Sequence, residues 1–188
     1  RIKELDKSYT DPNQLLLAWG YFKPYHGSMS KAELNAISKT RPIIIWQRSC
    51  HEMYLNDAAL KYFNITDADF KKAPAYCDYK TGHVFEAGLF VVTKPVLDYI
   101  GSPAMFAKGL EMMTSVIHKG GLTTIAEQGF PQIDIGLELK LNGAEINKPT
   151  TPYRFLMIPN AMFLYPTLKS GEKVLAFCDS LIKTGTSK

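Results

Sequence analysis

Helical and strand patterns alternate along the chain from residue 103 onward, and this alternation limits the folds that the chain can adopt. A helix is predicted from Pro103 to Lys119, because Ser102 can cap it, proline suits its first turn and a Gly-Gly pair follows its last turn. The next segments read as a strand (LTTIAE), a helix (QIDIGLELKLNG, ending at Gly143), a strand (YRFLMIPNA) and a helix (EKVLAFCDSLIKTG). Such alternation predicts βα units around a parallel sheet, so we expect an α/β fold.

The first half of the chain carries shorter signals. The S-x-x-E sequence that starts at Ser30 is a capping box and predicts a helix over about residues 31–39. PIIIWQ is a β-branched run typical of a buried strand. NDAALKYFN predicts a helix with Asn56 as its N-cap and Leu55 on its apolar face. Residues 66–82 are polar and are predicted to form a loop, while HVFEAGLFVV fits either a strand or a helix.

The bulk composition argues against several functional classes. The chain has 188 residues, of which 46% are hydrophobic, and no run approaches the roughly 20 apolar residues of a membrane helix, so no membrane partner is expected. The net charge of +4 comes from scattered residues, which argues against nucleic acid as a partner. The three cysteines form no C-x-x-C motif, so neither a disulfide framework nor a cysteine zinc site is expected, and a cytoplasmic location fits best. The chain starts on arginine and closes on KTGTSK, and we interpret it as a piece of a longer protein.

A histidine, a carboxylate and a thiol stand together in the stretch WQRSCHEMYLNDAAL. His51 and Glu52 begin like the zinc-protease motif H-E-x-x-H, but Leu55 occupies the second histidine position, so that motif is excluded. His51 can be a histidine that simply hydrogen-bonds to the backbone at a strand end. Its place beyond the PIIIWQ strand also suits a ligand-binding residue, because parallel α/β sheets bind ligands beyond the carboxyl ends of their strands.

Two glutamates extend this set of candidates. Glu86 lies in KTGHVFEAG among apolar residues and glycines, where burial of a carboxylate is costly unless it is paired or bound to a metal. Glu127 lies in GGLTTIAEQG at the carboxyl end of a predicted strand, where barrel enzymes carry their functional loops. Each can equally be a carboxylate that faces water. The chain has only four histidines, and His118 suits the last turn of its helix, so a metal site formed by this chain alone is not expected.

Several segments, in this order, resemble the amidohydrolase superfamily, and in particular its family-3 branch, which includes N-substituted formamide deformylases. The segments are LLLAWGY, RPIIIWQRSCHEMYLNDAAL, KTGHVFEAG, GGLTTIAEQG and YRFLMIP, and the resemblance covers about residues 15–188. They are similar to the family's W-G-Y/F segment, its R-P-V, G-H and N-S-x-A-L run, its P-T-G-x-x-x-E-A, its G-V-T-T-V-x-D, and a later strand that opens on arginine. Two positions depart from the family, because Cys50 stands in place of a glycine and Glu127 in place of an aspartate.

The resemblance implies part of a distorted (β/α)8 TIM barrel that hydrolyses an amide-type C–N bond of a small molecule with a metal-activated water. Residues 1–100 would be an α/β subdomain inserted after the first barrel strand, and residues 101–188 an incomplete set of barrel βα units. The divalent metal, expected to be zinc, would bind an H-x-H pair before Arg1 and further ligands after Lys188. The fragment alone would therefore contribute no metal ligand and would lack full activity.

The same resemblance implies which side chains line the substrate pocket. His51, Glu86 and Glu127 would contact the substrate, with His51, as a neutral imidazole, donating a hydrogen bond to a carbonyl or a developing oxyanion. Apolar walls would come from three aromatic residues: Trp19, Tyr21 and Trp46. A slice of a barrel exposes strand edges, so the chain is expected to associate with itself or with the rest of its parent. Two alternatives stay open: a non-catalytic α/β binding or regulatory module, and a family member that has lost its metal.

Overall fold

A computed structural model of the chain describes residues 1–184. The chain divides into one unit of Arg1–Val96 and a second unit that begins at Leu97, close to the boundary predicted after residue 100. The content is mixed helix and strand, which confirms the α/β class. The identity of the two parts as an inserted subdomain and barrel units stays a prediction, as does the barrel itself.

The first unit is built on a five-stranded mixed sheet. Its strands are β1 (Leu16–Tyr21), β2 (Ile43–Gln47), β3 (Glu52–Leu55), β4 (Cys77–Asp78) and β5 (His83–Phe85), in the order β1-β2-β3-β5-β4. The pair β1–β2 is parallel, whereas β2–β3, β3–β5 and β4–β5 are antiparallel. The predicted PIIIWQ strand is confirmed as β2, whose three isoleucines are fully or almost fully buried.

Short helices surround this sheet. They are α1 (Ile2–Ser8), α2 (Lys23–His26), α3 (Lys31–Ile37), α4 (Asp57–Tyr62), α5 (Asp67–Phe70) and α6 (Leu89–Ile100). The cap predicted at Ser102 makes no side-chain hydrogen bond to its helix, but the other two predicted caps are confirmed: the Ser30 hydroxyl accepts the Ala32 amide at the start of α3, and the Asn56 side chain accepts the Ala59 amide at the start of α4. Each side chain satisfies a first-turn amide that has no partner within its helix.

Buried polar anchors join distant segments of the first unit. Asn56 also accepts the Ile43 amide and donates to the carbonyls of Ser38 and Arg41, so this one side chain ties β2 to α4. Arg41 is only 3% exposed, and its guanidinium binds the Asp6 carboxylate and four carbonyls between residues 6 and 14. A buried guanidinium is stable only with such full pairing, so Arg41 fixes the segment before β1.

Three local predictions for the first unit are wrong. Leu55 ends β3 and does not lie on the face of α4, because its amide binds the Gly82 carbonyl in the sheet. The segment 66–82 is not all loop, since it contains α5 and β4. HVFEAGLFVV is neither one strand nor one helix: β5 ends at Phe85, a 3-10 turn covers Glu86–Gly88, and α6 follows. Each error comes from strand pairing with residues far away in sequence.

The second unit contains a βαβ element, which confirms the predicted alternation. Its elements are α7 (Pro103–Lys119), β6 (Thr124–Phe130), α8 (Ile135–Ile146), β7 (Arg154–Pro159), α9 (Ala161–Leu168) and α10 (Gly171–Thr184). β6 and β7 pair in parallel with α8 between them in the chain. Helix α8 does not end at Gly143 as predicted, and buried Glu145 and Ile146 form its last turn. Among residues 1–184, no helix has the length and apolar content needed to cross a bilayer.

Candidate substrate-binding site

His51 and Glu86 form a side-chain pair at one end of the five-stranded sheet. His51 Nδ1 lies 3.1 Å from Glu86 Oε2, and the Glu86 amide donates to the His51 carbonyl at 3.0 Å. Both side chains are open to solvent, with 64% of the His51 side chain and 59% of the Glu86 side chain exposed. The two residues predicted from different motifs are therefore in direct contact.

Antiparallel pairing of β3 with β5 brings these two residues together. Glu52 at the start of β3 pairs with Phe85 at the end of β5. Because antiparallel neighbours run in opposite directions, the residue before Glu52 and the residue after Phe85 lie at the same edge. Those residues are His51 and Glu86. His51 lies in the turn between β2 and β3, beyond the carboxyl end of β2, which pairs in parallel with β1 as the sequence suggested.

The backbone at this pair departs from ordinary strand geometry at two positions. Cys50 has φ 67° and Glu86 has φ 45°, both in the left-handed region that favours glycine. Cys50 is the position at which the resembling family has glycine, so the turn keeps a glycine-like conformation with a side chain in place. Non-glycine residues in this region are uncommon and concentrate at functional sites, which supports a role for the His51–Glu86 pair.

The geometry leaves one ring nitrogen of His51 available for a ligand. Glu86 engages Nδ1, and no hydrogen bond from the described part of the chain, residues 1–184, engages Nε2. A carboxylate that accepts from Nδ1–H selects the tautomer with an unprotonated Nε2, and in the imidazolium Nε2 becomes a donor. The pair can therefore present either an acceptor or a donor to a polar group of a small molecule.

The three aromatic residues predicted as walls lie on two different faces of the sheet. Trp19 pairs with Trp46 across β1 and β2, and Tyr21 pairs with Gln47 after an irregularity at Gly20, whose φ is 103°. Paired residues of neighbouring strands share a face, so Trp19 and Trp46 lie on one face of the sheet. Trp46 and Gln47 are successive residues and point to opposite faces, so Tyr21, which pairs with Gln47, lies on the other face. Trp46 is also near the candidate pair, because its indole N–H donates to the Cys50 carbonyl at 3.1 Å.

Tyr21 belongs to the core of the first unit. Its ring is 6% exposed and packs with Ile43 and Ile45, and its hydroxyl donates to the Gly27 carbonyl at 2.6 Å. Burial, followed by the charges of Glu52 and Glu33, raises the pKa of Tyr21. The phenol therefore acts as a neutral structural donor, and its predicted contact with substrate stays a prediction.

Glu127 lies in β6 of the second unit. It is half-buried, and its Oε1 accepts the Gly129 amide at 2.7 Å, within the irregular part of β6 between Glu127 and Phe130. The predicted strand is confirmed, but Glu127 does not end it, because β6 continues to Phe130. Its predicted contact with the same substrate as His51 stays a prediction.

A second histidine–carboxylate pair lies on the sheet and was not identified from the sequence. His83 Nε2 is 3.0 Å from Glu52 Oε2, and the Tyr54 hydroxyl donates to the same oxygen at 3.2 Å. The His83 ring stacks on Tyr54 with centroids 4.4 Å apart. Burial and the neighbouring Glu52 raise the pKa of Tyr54 strongly. His83 was not among the candidate residues, although the alternation in E-M-Y and H-V-F is a signal that could have placed these side chains on one face.

A buried carboxylate in the second unit was also missed. Glu138 is 3% exposed, and its Oε1 accepts the amides of Gln132, Ile133 and Asp134 at 2.8, 2.5 and 3.1 Å. Burial raises the pKa of Glu138; the three amides oppose this shift, and the charge of Glu127 adds to it. The carboxylate thus holds the loop that follows β6. The sequence gives no distinct signal for it, because Glu138 sits in an ordinary helical pattern.

The residues described here do not form a complete metal site. Within residues 1–184, no three histidine, cysteine, aspartate or glutamate side chains are grouped closely enough to hold a metal ion. The His51–Glu86 pair supplies only two donors, fewer than the three protein ligands usual in a catalytic zinc site. No chemical step in this chain is therefore assigned to a metal.

Comparisons with known proteins relate this fold to metal-dependent hydrolases. No family model matches the chain, and no curated protein matches it. A solved structure of an uncharacterized metal-dependent hydrolase from Pyrococcus horikoshii OT3 is similar over 98% of this chain, with 16% identity and a TM-score of 0.57. A second, from Pyrococcus furiosus, is similar over 90% of this chain, with 17% identity and a TM-score of 0.51.

These similarities concern the fold, because the identities are far below those that establish common activity. The chain spans about a third of the length of either hydrolase. It is thus similar in fold to one portion of each of these larger proteins.

Proposed function

We propose that the protein is a metal-dependent hydrolase of an amide-type C–N bond and that the present chain supplies part of its substrate-binding surface. The observation that carries the proposal is the contact between His51 and Glu86, two residues selected from separate motifs. The similarity in fold to two metal-dependent hydrolases supports the general class of reaction. The motif resemblance supports the choice of a small-molecule C–N bond and of zinc held by other segments.

In this proposal the His51–Glu86 pair orients the substrate. Glu86 holds the imidazole through Nδ1, and Nε2 is directed to the substrate carbonyl, where the imidazolium would donate a hydrogen bond that strengthens as negative charge develops. Trp46 lies beside this turn and shares its face of the sheet with Trp19, which is 66% exposed, so the two indoles provide apolar contact area. Glu127 is proposed as a further residue that contacts substrate.

The test is hydrolysis of a panel of N-substituted formamides and other small amides by the zinc-loaded full-length protein. We expect His51→Ala to lower kcat/KM roughly 100-fold, in the range of a lost transition-state hydrogen bond. His118→Ala provides the matched control, because His118 is an exposed histidine in the last turn of α7. Zinc content is measured in both variants to separate substrate binding from metal loss.

Three outcomes decide between the proposal and its alternatives. Loss of turnover in His51→Ala with zinc content unchanged supports it. Equal activity of His51→Ala and His118→Ala contradicts the assigned role of His51. A full-length protein that binds small amides without hydrolysing any of them, at full zinc content, would indicate the non-catalytic binding module.

A further inference from the structure

A cavity of about 660 Å³ lies in the first unit, on the sheet face that carries Tyr21 and Ile45. Its size is within the range of small-molecule sites. Most of the lining is aliphatic and comes from α1, β1, β2, α3 and the segment before α3: Ile2, Leu5, Ala18, Met29, Ile37 and Ile45. Tyr21 adds aromatic surface from this face of the sheet. Neither His51 nor Glu86 lines this cavity, so it is separate from the pair described above.

The charged groups at this cavity carry a single sign. Arg1 and Lys3 line it, and no carboxylate does; His26 also lines it, with its Nδ1 accepting the Phe22 amide. The two carboxylates that influence Tyr21 are engaged elsewhere: Glu33 binds the Ser30 hydroxyl, and Glu52 binds Tyr54 and His83. An apolar cavity lined by two cationic side chains and by no carboxylate favours a ligand with a hydrophobic body and an anionic head.

We propose that this cavity binds a small amphipathic carboxylate, with its hydrocarbon part against the aliphatic lining and its carboxylate near Lys3 and Arg1. The proposal does not rest on hydrolase activity, because neither His51 nor Glu86 lines this cavity. Burial of each methylene would contribute about 0.8 kcal/mol. The cationic groups would add a smaller contribution, because Lys3 and Arg1 are exposed to solvent.

The experiment is calorimetric titration of the full-length protein with octanoate, octylamine and 1-octanol, all below their micellar concentrations. Octanoate is expected to bind most tightly, 1-octanol more weakly, and octylamine most weakly, since only the head group differs. Lys3→Glu is expected to weaken octanoate binding roughly fivefold through lost attraction and added repulsion. Lys7→Glu is the control, because Lys7 lies on the same helix, is exposed and does not line the cavity.

A second variant tests the location without changing charge. Ala18→Leu places additional side-chain volume against the cavity and is expected to weaken octanoate and 1-octanol alike. Equal affinities for octanoate and octylamine, equal effects of Lys3→Glu and Lys7→Glu, or no effect of Ala18→Leu in a protein that still unfolds cooperatively would each overturn the proposal. So would octanoate binding to the 188-residue chain but not to the full-length protein, which would show that another segment covers the cavity.

Discussion

Cys50 keeps the backbone at φ 67°, a conformation that costs a residue with a Cβ atom about 1 kcal/mol relative to glycine. Its neighbour across the sheet edge, Glu86, is held at φ 45°. The hydrogen bond from the Glu86 amide to the His51 carbonyl and the His51–Glu86 contact maintain these conformations. The two left-handed residues therefore lie at or beside the His51–Glu86 contact, one in the turn before β3 and one directly after β5.

Cys50→Gly is expected to raise the free energy of unfolding by about 1 kcal/mol, because glycine adopts this φ without steric strain. Urea denaturation of the wild type and the variant measures the change. Cys50→Ala is the control, since it removes the thiol but keeps Cβ, and it should leave stability nearly unchanged. A loss of stability in Cys50→Gly would show that the strain is not relieved at this position.

The buried Glu138 predicts a pH dependence of stability. Its pKa in the folded protein lies above its ordinary value of 4.5, so the folded state holds the proton more tightly than the unfolded state. Its contribution to stability is therefore greatest below the ordinary pKa and falls as pH rises through the raised pKa. Glutamine at this position keeps an acceptor oxygen for the three amides without ionising.

We expect the unfolding free energy of wild type minus that of Glu138→Gln to decrease between pH 4 and pH 7. Chemical denaturation at several pH values in this interval measures it. Glu172→Gln, on exposed α10, is the control for the simple loss of one negative charge. A difference that increases with pH would mean that the three amides stabilise the carboxylate more than burial destabilises it.

At the scale of single elements, tertiary contacts override local signals at helix ends. Helix α8 continues past Gly143 because Glu145 and Ile146 are buried, and Glu145 binds the Thr114 hydroxyl. Glycine in a helix interior costs roughly 1 kcal/mol relative to alanine, which burial of the final turn can offset. Where no such burial occurs, the capping side chain sets the helix boundary, as Ser30 does at the start of α3.

Gly143→Ala is expected to increase the free energy of unfolding by roughly 0.5–1 kcal/mol, since helical backbone favours alanine. A Cβ atom at this position meets no heavy atom within 4 Å. Thermal or chemical denaturation measures the gain. Gly82→Ala is the contrasting variant and should be destabilised, because Gly82 has φ +65° and its added Cβ would lie 2.2 Å from the Leu55 carbonyl oxygen. Destabilisation of both variants would argue against a helical backbone conformation at Gly143.

At the scale of the whole molecule, the two units differ in how completely their strands are paired. The first unit has five strands in one sheet, whereas β6 and β7 in the second unit pair only with each other among the described residues. Leu156 and Ile158 of β7 are each 45% exposed. Unpaired strand edges beside exposed apolar side chains are a usual starting point for association between chains.

We expect the isolated 188-residue chain to associate with itself, with β6 and β7 in the contact. Replacing both Leu156 and Ile158 by glutamate should shift the chain toward monomer in sedimentation equilibrium. Leu175→Glu is the control, because Leu175 is 68% exposed but lies on α10. Monomeric wild type over the accessible concentration range would refute the expectation.

Elements that depend on neighbouring residues could be predicted from the sequence. The helix Pro103–Lys119, the strand Ile43–Gln47 and the Asn56 cap are all present, because proline, β-branched side chains and a capping amide act within one turn or strand. The alternation of strand and helix likewise indicated the parallel β6–β7 pair. For the candidate site, the sequence identified His51 and Glu86 as separate positions of interest.

Only the tertiary structure decided which of these positions meet. The His51–Glu86 contact and the His83–Glu52 pair both require the antiparallel register of β3 and β5, which depends on burial of side chains from segments about 30 residues apart. Trp19 and Tyr21 are separated by the irregularity at Gly20, which short-range patterns do not reveal. Residue types and local propensities thus determine the elements, whereas the pairing of distant strands determines the site.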